Sequence, residues 1–295
     1  MAENEFLHIF RSHAAARNGF FRNHRHSAFE ISLILSGEGK YRTDNRIFDI
    51  ESGDIFLYHT NEPHCITDIY GTQEMEILNI HFEPRYLWTF SEDMKYLQTI
   101  FRRSTRADNR IPSGDPLNSE VRTLMLDAQR EYERRDAGYE RLLHGDILKI
   151  LILLARNEKA VIPEGSTDSE TLFKINGSMD YICEHFSEPI TLRDIAATAG
   201  LCRTYYCSVF KELNGMTPWD YVNIKRIEYA MHLLRESDST ILNIALQSGF
   251  NNTANFNRIF KNVTGLTPRD YRRTKRGDGD PASAGGTHRR KGVLP

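Results

Sequence analysis

Four residues in the first quarter of the chain have types and spacings that suit ligand chemistry: His24, His26, Glu30 and His64. On a regular strand the first three share a face, so their polar groups converge, and His64 can stand opposite them. Imidazoles and a carboxylate gathered in this way suit a Zn, Fe, Mn or Ni ion. They equally suit contact with a small-molecule effector, or a purely structural hydrogen-bond set, and spacing alone leaves the three readings open. Tyr41 joins the effector candidates; together with Phe29, Phe48 and Phe56 it serves either as an apolar wall or as core. No Ser-His-Asp or Cys-His arrangement, phosphate loop or paired-acid motif accompanies them. The chain therefore reads as a non-enzyme with no cofactor and no catalytic residue, with the four residues as ligands if a metal is held.

These side chains need a β framework. Phe29, Ile31, Leu33 and Leu35 alternate with Glu30, Ser32 and Ser36, the period of two of a strand with one buried face. Gly37-Glu38-Gly39 breaks that run, and Asp44-Asn45 and Ser52-Gly53-Asp54 punctuate two further strands, Arg46–Ile50 and Ile55–Tyr58. Another apolar run covers Met75 to Phe82. Short strands at this spacing predict a small antiparallel barrel or sandwich over 1–110. From Leu117 the period becomes helical, and two helices about Ala137-Gly138 are expected over 111–162. The second carries apolar residues on more than one face, which fits a dimer interface or a plain cap on the barrel. Residues 163–171 (Pro163 to Ser169 being PEGSTDS) read as a linker, and the Gly-, Ser- and Pro-rich tail 277–295 as disordered.

With 38 Lys and Arg against 40 Asp and Glu in 295 residues, the formal charge is −2. Hydrophobic residues at 40% and charged ones at 26% exclude a disordered chain. The longest apolar stretch, Ile150 to Ala155, excludes a membrane helix, and the acidic N-terminus lacks the layout of a secretory signal. Four cysteines without a CxxC pair are no disulfide framework, so a cytoplasmic location is expected. Near-neutral overall charge conceals an uneven distribution. Residues 171–276 hold 14 Lys and Arg against 10 Asp and Glu, whereas residues 1–170 hold 21 against 28. A basic C-terminal part attached to an acidic N-terminal part fits contact with phosphate at one end only.

That basic part repeats itself. Gly215-Met-Thr-Pro-Trp-Asp-Tyr221 recurs 50 residues later as Gly265-Leu-Thr-Pro-Arg-Asp-Tyr271, each after a Phe-Lys pair. Thr191, Ile195-Ala196 and Gly200 match Thr240, Ile244-Ala245 and Gly249 at an offset of 49. In the first copy Thr191 is an N-cap with Asp194 as the capping-box carboxylate, and Gly200 ends the helix. Helix, tight glycine turn and second helix make a helix-turn-helix. Thr217-Pro218 and Thr267-Pro268 then start a third helix in each copy. Tyr221–Ser237 carries Ile224, Ile227, Met231 and Leu234 on one face, a linker helix of about 25 Å. That length suits two recognition helices held roughly one DNA turn, about 34 Å, apart.

On these motifs residues 172–276 resemble the AraC/XylS family of transcriptional regulators. The signature is Gly249-Phe250, Phe256, Phe260-Lys261, Gly265-Leu-Thr-Pro and Tyr271-Arg272. The resemblance implies an α+β multidomain protein, a β-barrel sensor with two helices followed by an all-α double helix-turn-helix. It also implies that Arg203, Thr204, Cys207, Ser208 and Lys211 of one recognition helix face DNA. From the other these would be Asn252, Thr253, Ala254, Asn257, Arg258 and Lys261. Arg258 suits guanine and Asn257 adenine, while Lys211 and Lys261 suit the phosphate backbone. Cys202 stands where the family often has Ser, which weakens the cap of the first recognition helix. His24-Arg25-His26, Glu30 and Gly37, with Gly53 and His64, are similar to the two cupin motifs, although His59 and Asn61 depart from the second. The function implied is that of a cytoplasmic activator of promoter DNA, answering to a small-molecule effector such as a sugar, homodimeric and in contact with RNA polymerase. Two alternatives remain: a metal-dependent cupin enzyme fused to a DNA-binding domain, and an effector-independent repressor.

Overall fold

The computed structural model describes residues 6–14, 25–43, 46–71, 74–88, 109–157 and 167–275. His24, most of the expected linker and the tail from 276 lie outside the described residues.

The N-terminal part is two antiparallel sheets. Five strands run in the order β1 (Leu7–Ala14), β7 (Met75–Phe82), β2 (Phe29–Ser36), β5 (Ile55–Tyr58) and β8 (Arg110–Ile111). Three more run β4 (Ile47–Ile50), β3 (Gly39–Thr43) and β6 (His64–Ile69). Among the described residues no ladder joins the two sheets, so the expected barrel is an open two-sheet sandwich. They meet through Ile34, Phe56, Tyr58 and Ile77 of the larger sheet and Tyr41, Ile50 and Ile66 of the smaller one.

β2 departs from the one-sided pattern expected of it. Its first six residues are buried on both faces. Phe29, Ile31 and Leu33 turn outward against the helical layer, while Glu30 and Ser32 alternate with them into the space between the sheets. A charged residue on a covered face must find partners, because an unpaired buried charge is prohibitively costly.

Two helices cover the outer face of the larger sheet. α1 (Pro116–Arg134) is capped by Asp115 and begins with Pro116, and α2 (Tyr139–Asn157) follows the turn at Gly138, whose φ is +89°. Val121, Met125, Ile147 and Leu151 seal that face.

The C-terminal part is helical. α3 (Ser169–His185) begins inside the stretch read as linker, because Asp168 accepts the Thr171 amide and caps it there. The first unit is α4 (Leu192–Thr198) and α5 (Arg203–Asn214), with the capping box of Thr191 and Asp194 complete. α6 (Pro218–Glu236) links it to α7 (Ile241–Gln247), α8 (Thr253–Thr264) and α9 (Pro268–Lys275). At 1.5 Å per residue α6 is about 28 Å long. The apolar interiors of the outer sensor face and of the helical part are contiguous.

Candidate functional site: a buried histidine cluster and a two-helix nucleic-acid interface

Glu30 is the centre of the sensor's polar interior. Its Oε2 lies 2.8 Å from His26 Nε2, 3.1 Å from His64 Nε2 and 3.0 Å from His81 Nε2. Its Oε1 accepts the Ser32 hydroxyl, which also bonds Asn79 Oδ1 at 2.9 Å. Burial alone would raise the Glu30 carboxyl. The charges of His81 and His64 and the hydrogen bonds from His26 and His64 instead hold it well below its ordinary value. Burial works against a charged His26, but bonding to Glu30 raises that ring, whereas burial lowers His81 despite the same carboxylate.

Three of the expected residues meet here, reached by different routes. His26 is not on a regular strand with Glu30. It lies in the loop before β2, and its Nδ1 bonds the Ala28 carbonyl at 2.9 Å, which turns the ring back toward Glu30. His64 starts β6, with Nδ1 2.9 Å from the Glu62 carbonyl, and its ring stacks on Tyr58 at 4.0 Å. Tyr41 sits in the aromatic stack with Phe56 and Tyr58, its ring 6.4 Å from that of His64, and walls the cluster from one side. His81 was not among the residues singled out from sequence. It is the direct cross-strand neighbour of Glu30, as Asn79 is of Ser32. The available signal was the polar pair Asn79 and His81, two apart in a strand whose other residues after Glu76 are apolar.

The recognition helices present their polar faces outward. On α5, Arg203, Thr204, Ser208 and Lys211 are exposed and Cys207 half-buried, while Tyr206, Val209 and Phe210 turn inward. On α8, Ala254, Asn257, Arg258 and Lys261 are exposed and Thr253 half-buried, with Phe256, Ile259 and Phe260 inside. Arg258 is steadied by the Asn255 side chain at 2.9 Å. Asn252 spends its side-chain oxygen on the Asn255 amide as the N-cap of α8, whereas Cys202 makes no side-chain cap at α5. Tyr205, exposed on α5 beside Thr204, is a further candidate that sequence reasoning passed over.

The two parts touch at several points that no spacing announced. Glu83, after β7, accepts Lys225 Nζ at 2.7 Å, Tyr221 Oη at 3.0 Å and Arg85 Nε at 3.0 Å. Arg85 also reaches Asp180 of α3 at 2.7 Å. Burial opposes the Glu83 charge, yet Lys225 and Arg85 hold its carboxyl below its ordinary value. The sensor also holds the C-terminal end of each recognition helix. Thr60 Oγ1 donates to the Asn214 carbonyl at 2.7 Å, and the Arg25 amide to the Val263 carbonyl at 2.8 Å.

Residues 6–143 match a family model described as an AraC-like ligand-binding domain, and residues 195–274 match one described as a helix-turn-helix domain. The Melibiose operon regulatory protein of Escherichia coli (strain K12) is 23% identical over 252 residues, 81% of this chain and 79% of that protein. The HTH-type transcriptional activator RhaS of Salmonella arizonae is 26% identical over 245 residues, 81% of this chain and 83% of that one. The solved structure of ToxT from Vibrio cholerae shares the fold, with a TM-score of 0.57 at 16% identity over 92% of this chain and 99% of that one. Among the described residues no helix is long and apolar enough to cross a membrane. With a ligand-binding half and a helix-turn-helix half matched in that order, the chain belongs to the AraC family of transcriptional regulators.

Proposed function

We propose that this regulator activates transcription, and that a ligand held between the two sensor sheets controls how it engages promoter DNA. The observation that carries the reading is the sensor's hold on both recognition helices, through Thr60 to Asn214 and Arg25 to Val263. His26 is flanked by Arg25 and by Ser27, whose hydroxyl faces Glu83 and Glu228. A change at the cluster therefore has a short path to both helix-turn-helix units. Control requires the ligand to favour one arrangement of the two parts over another.

Arg203, Thr204, Cys207 and Ser208 of α5, and Asn252, Thr253, Ala254, Asn257 and Arg258 of α8, are assigned to the DNA face, with Lys211 and Lys261 on phosphates. His26, Glu30, His64 and Tyr41 are assigned to the ligand, His81 is added to them, and His24 lies outside the described residues. The protein acts in the cytoplasm, as a homodimer and with RNA polymerase, and catalyses no reaction. A dimer face is supported by Leu142, which stands exposed on α2.

The test is transcription from a promoter recovered by genomic binding selection, with the wild type and a Glu83→Gln variant. Loosening the Glu83 contact is expected to shift basal output while leaving the preferred DNA sequence unchanged. Identical output from the two proteins, under all growth conditions that alter wild-type output, overturns the coupling.

A further inference from the structure

We propose that His26, His81 and Glu30 form a site for one divalent first-row transition-metal ion, with His64 on the same carboxylate oxygen beside them. This deepens the reading of the cluster as the sensor's ligand site and rests on it only for the regulatory consequence; the metal site itself rests on the geometry that follows.

Three imidazole Nε2 atoms lie within 2.8 to 3.1 Å of one carboxylate oxygen. That oxygen has two lone pairs, so it cannot serve three donors well at once. The ligand atoms of His26, Glu30 and His81 all lie within 4.8 Å of one another. An ion with bonds of about 2.1 Å holds tetrahedral ligands roughly 3.4 Å apart, so the nitrogens draw closer to one another while each opens a few tenths of an ångström from the Glu30 oxygen.

The other side of two of the rings supports the same assignment. His26 Nδ1 faces the Ala28 carbonyl and His64 Nδ1 the Glu62 carbonyl, both at 2.9 Å. A ring that donates its Nδ1–H to a carbonyl presents an Nε2 lone pair inward, the usual second contact of a metal-ligating histidine. A cation between the rings satisfies the Nε2 atoms and the carboxylate together. Ser32 on the free Glu30 oxygen orients the carboxylate ligand in the same manner.

Burial differs within the cluster in a way that leaves an approach. The His64 side chain is 0% exposed and that of Glu30 4%, whereas His26 and His81 are 16% and 19% exposed. An ion enters past the last two. Imidazole nitrogens beside one carboxylate oxygen favour Zn, Co, Ni or Fe over Mg or Ca.

The test uses the full-length protein, stripped of metal with a chelator and titrated with Co²⁺ and with Zn²⁺. One Co²⁺ per chain with a visible ligand-field spectrum is expected, displaced by Zn²⁺ and not by Mg²⁺. Bound Zn²⁺ should shield His26 and His81 from diethylpyrocarbonate, read residue by residue by mass spectrometry. This arm uses wild-type protein alone and stands even where a variant misfolds. His81→Ala and Glu30→Gln should each weaken Zn²⁺ binding about a hundredfold or more, with the metal-free circular-dichroism spectrum unchanged. No stoichiometric ion in the wild type, equal shielding of all histidines, or Mg²⁺ binding as tight as Zn²⁺ would each overturn the site. A metal site that forms while promoter binding ignores it would instead sink the control reading, so the two failures are distinct.

Discussion

The two helix-turn-helix units descend from one pattern and yet sit in unlike surroundings. Gly200 and Gly249 occupy the same turn, with φ of +63° and +83°. A Cβ on Gly200 would meet nothing within 4 Å, whereas one on Gly249 would come 2.8 Å from the Phe186 carbonyl oxygen and 2.9 Å from Ser187 Cα. The second turn is seated on the chain leaving α3, where Arg226 of α6 bonds the Phe186 carbonyl at 2.6 Å and that of Glu188 at 2.9 Å. The first turn faces outward. Capping is unequal too, with a side-chain cap on α8 and none on α5. Repetition of a motif therefore does not imply repetition of its energetics, because the neighbours differ.

The largest effect should separate the two glycines. Gly200→Ala pays only for a left-handed backbone, about 1–2 kcal/mol, while Gly249→Ala adds a clash with backbone and should lose at least twice that. Urea unfolding of the two variants measures the difference, and equal losses would erase the asymmetry. Next, Arg258→Ala should cost about 1–3 kcal/mol in promoter binding and relax the preference at one base pair. Thr204→Ala on α5 should cost less, as read by selection from randomised sites; the reverse order would make α5 the dominant reader. Caps come third. Asn252→Ala should destabilise by about 1 kcal/mol and Cys202→Ser should stabilise by about 0.5 kcal/mol, both seen in melting curves. A Cys202→Ser variant no more stable than the parent would mean that the α5 end is already satisfied by other means. Smallest in base preference, Lys211→Ala and Lys261→Ala should each lower the salt slope of binding by about 1 and leave the sequence profile intact. A changed profile would move either lysine from phosphate to base.

Legibility followed the range of the interactions involved. The caps of Thr191, Thr217 and Thr240, the turns at Gly200 and Gly249 and the apolar stripes of α5 and α8 are all decided within a few residues, so their spacing reveals them. β2 was located from its alternation, but not its burial. Glu30 and Ser32 look like a solvent face until a second sheet covers them. His81 was missed for the same reason, since its partnership with Glu30 depends on the register of β7 against β2. The start of α3 at Ser169 was hidden because Asp168 sits in a stretch whose Ser, Thr and Gly content also suits a linker.

By itself the sequence determined the double helix-turn-helix, the polar faces of its recognition helices, and a β-rich domain bearing histidines and a glutamate. Periodicity, capping and duplication are local properties, and each is written in consecutive residues. Only the tertiary structure decided that three imidazoles converge on one oxygen of Glu30, that no ladder joins the two sheets among the described residues, and that Glu83 joins the sensor to α6. Those outcomes depend on which strands pair and which faces are covered, which brings together side chains as far apart in sequence as Glu83 and Lys225. Burial then turns ordinary polar residues into a mutually paired cluster, because a charge removed from water must be paired or coordinated.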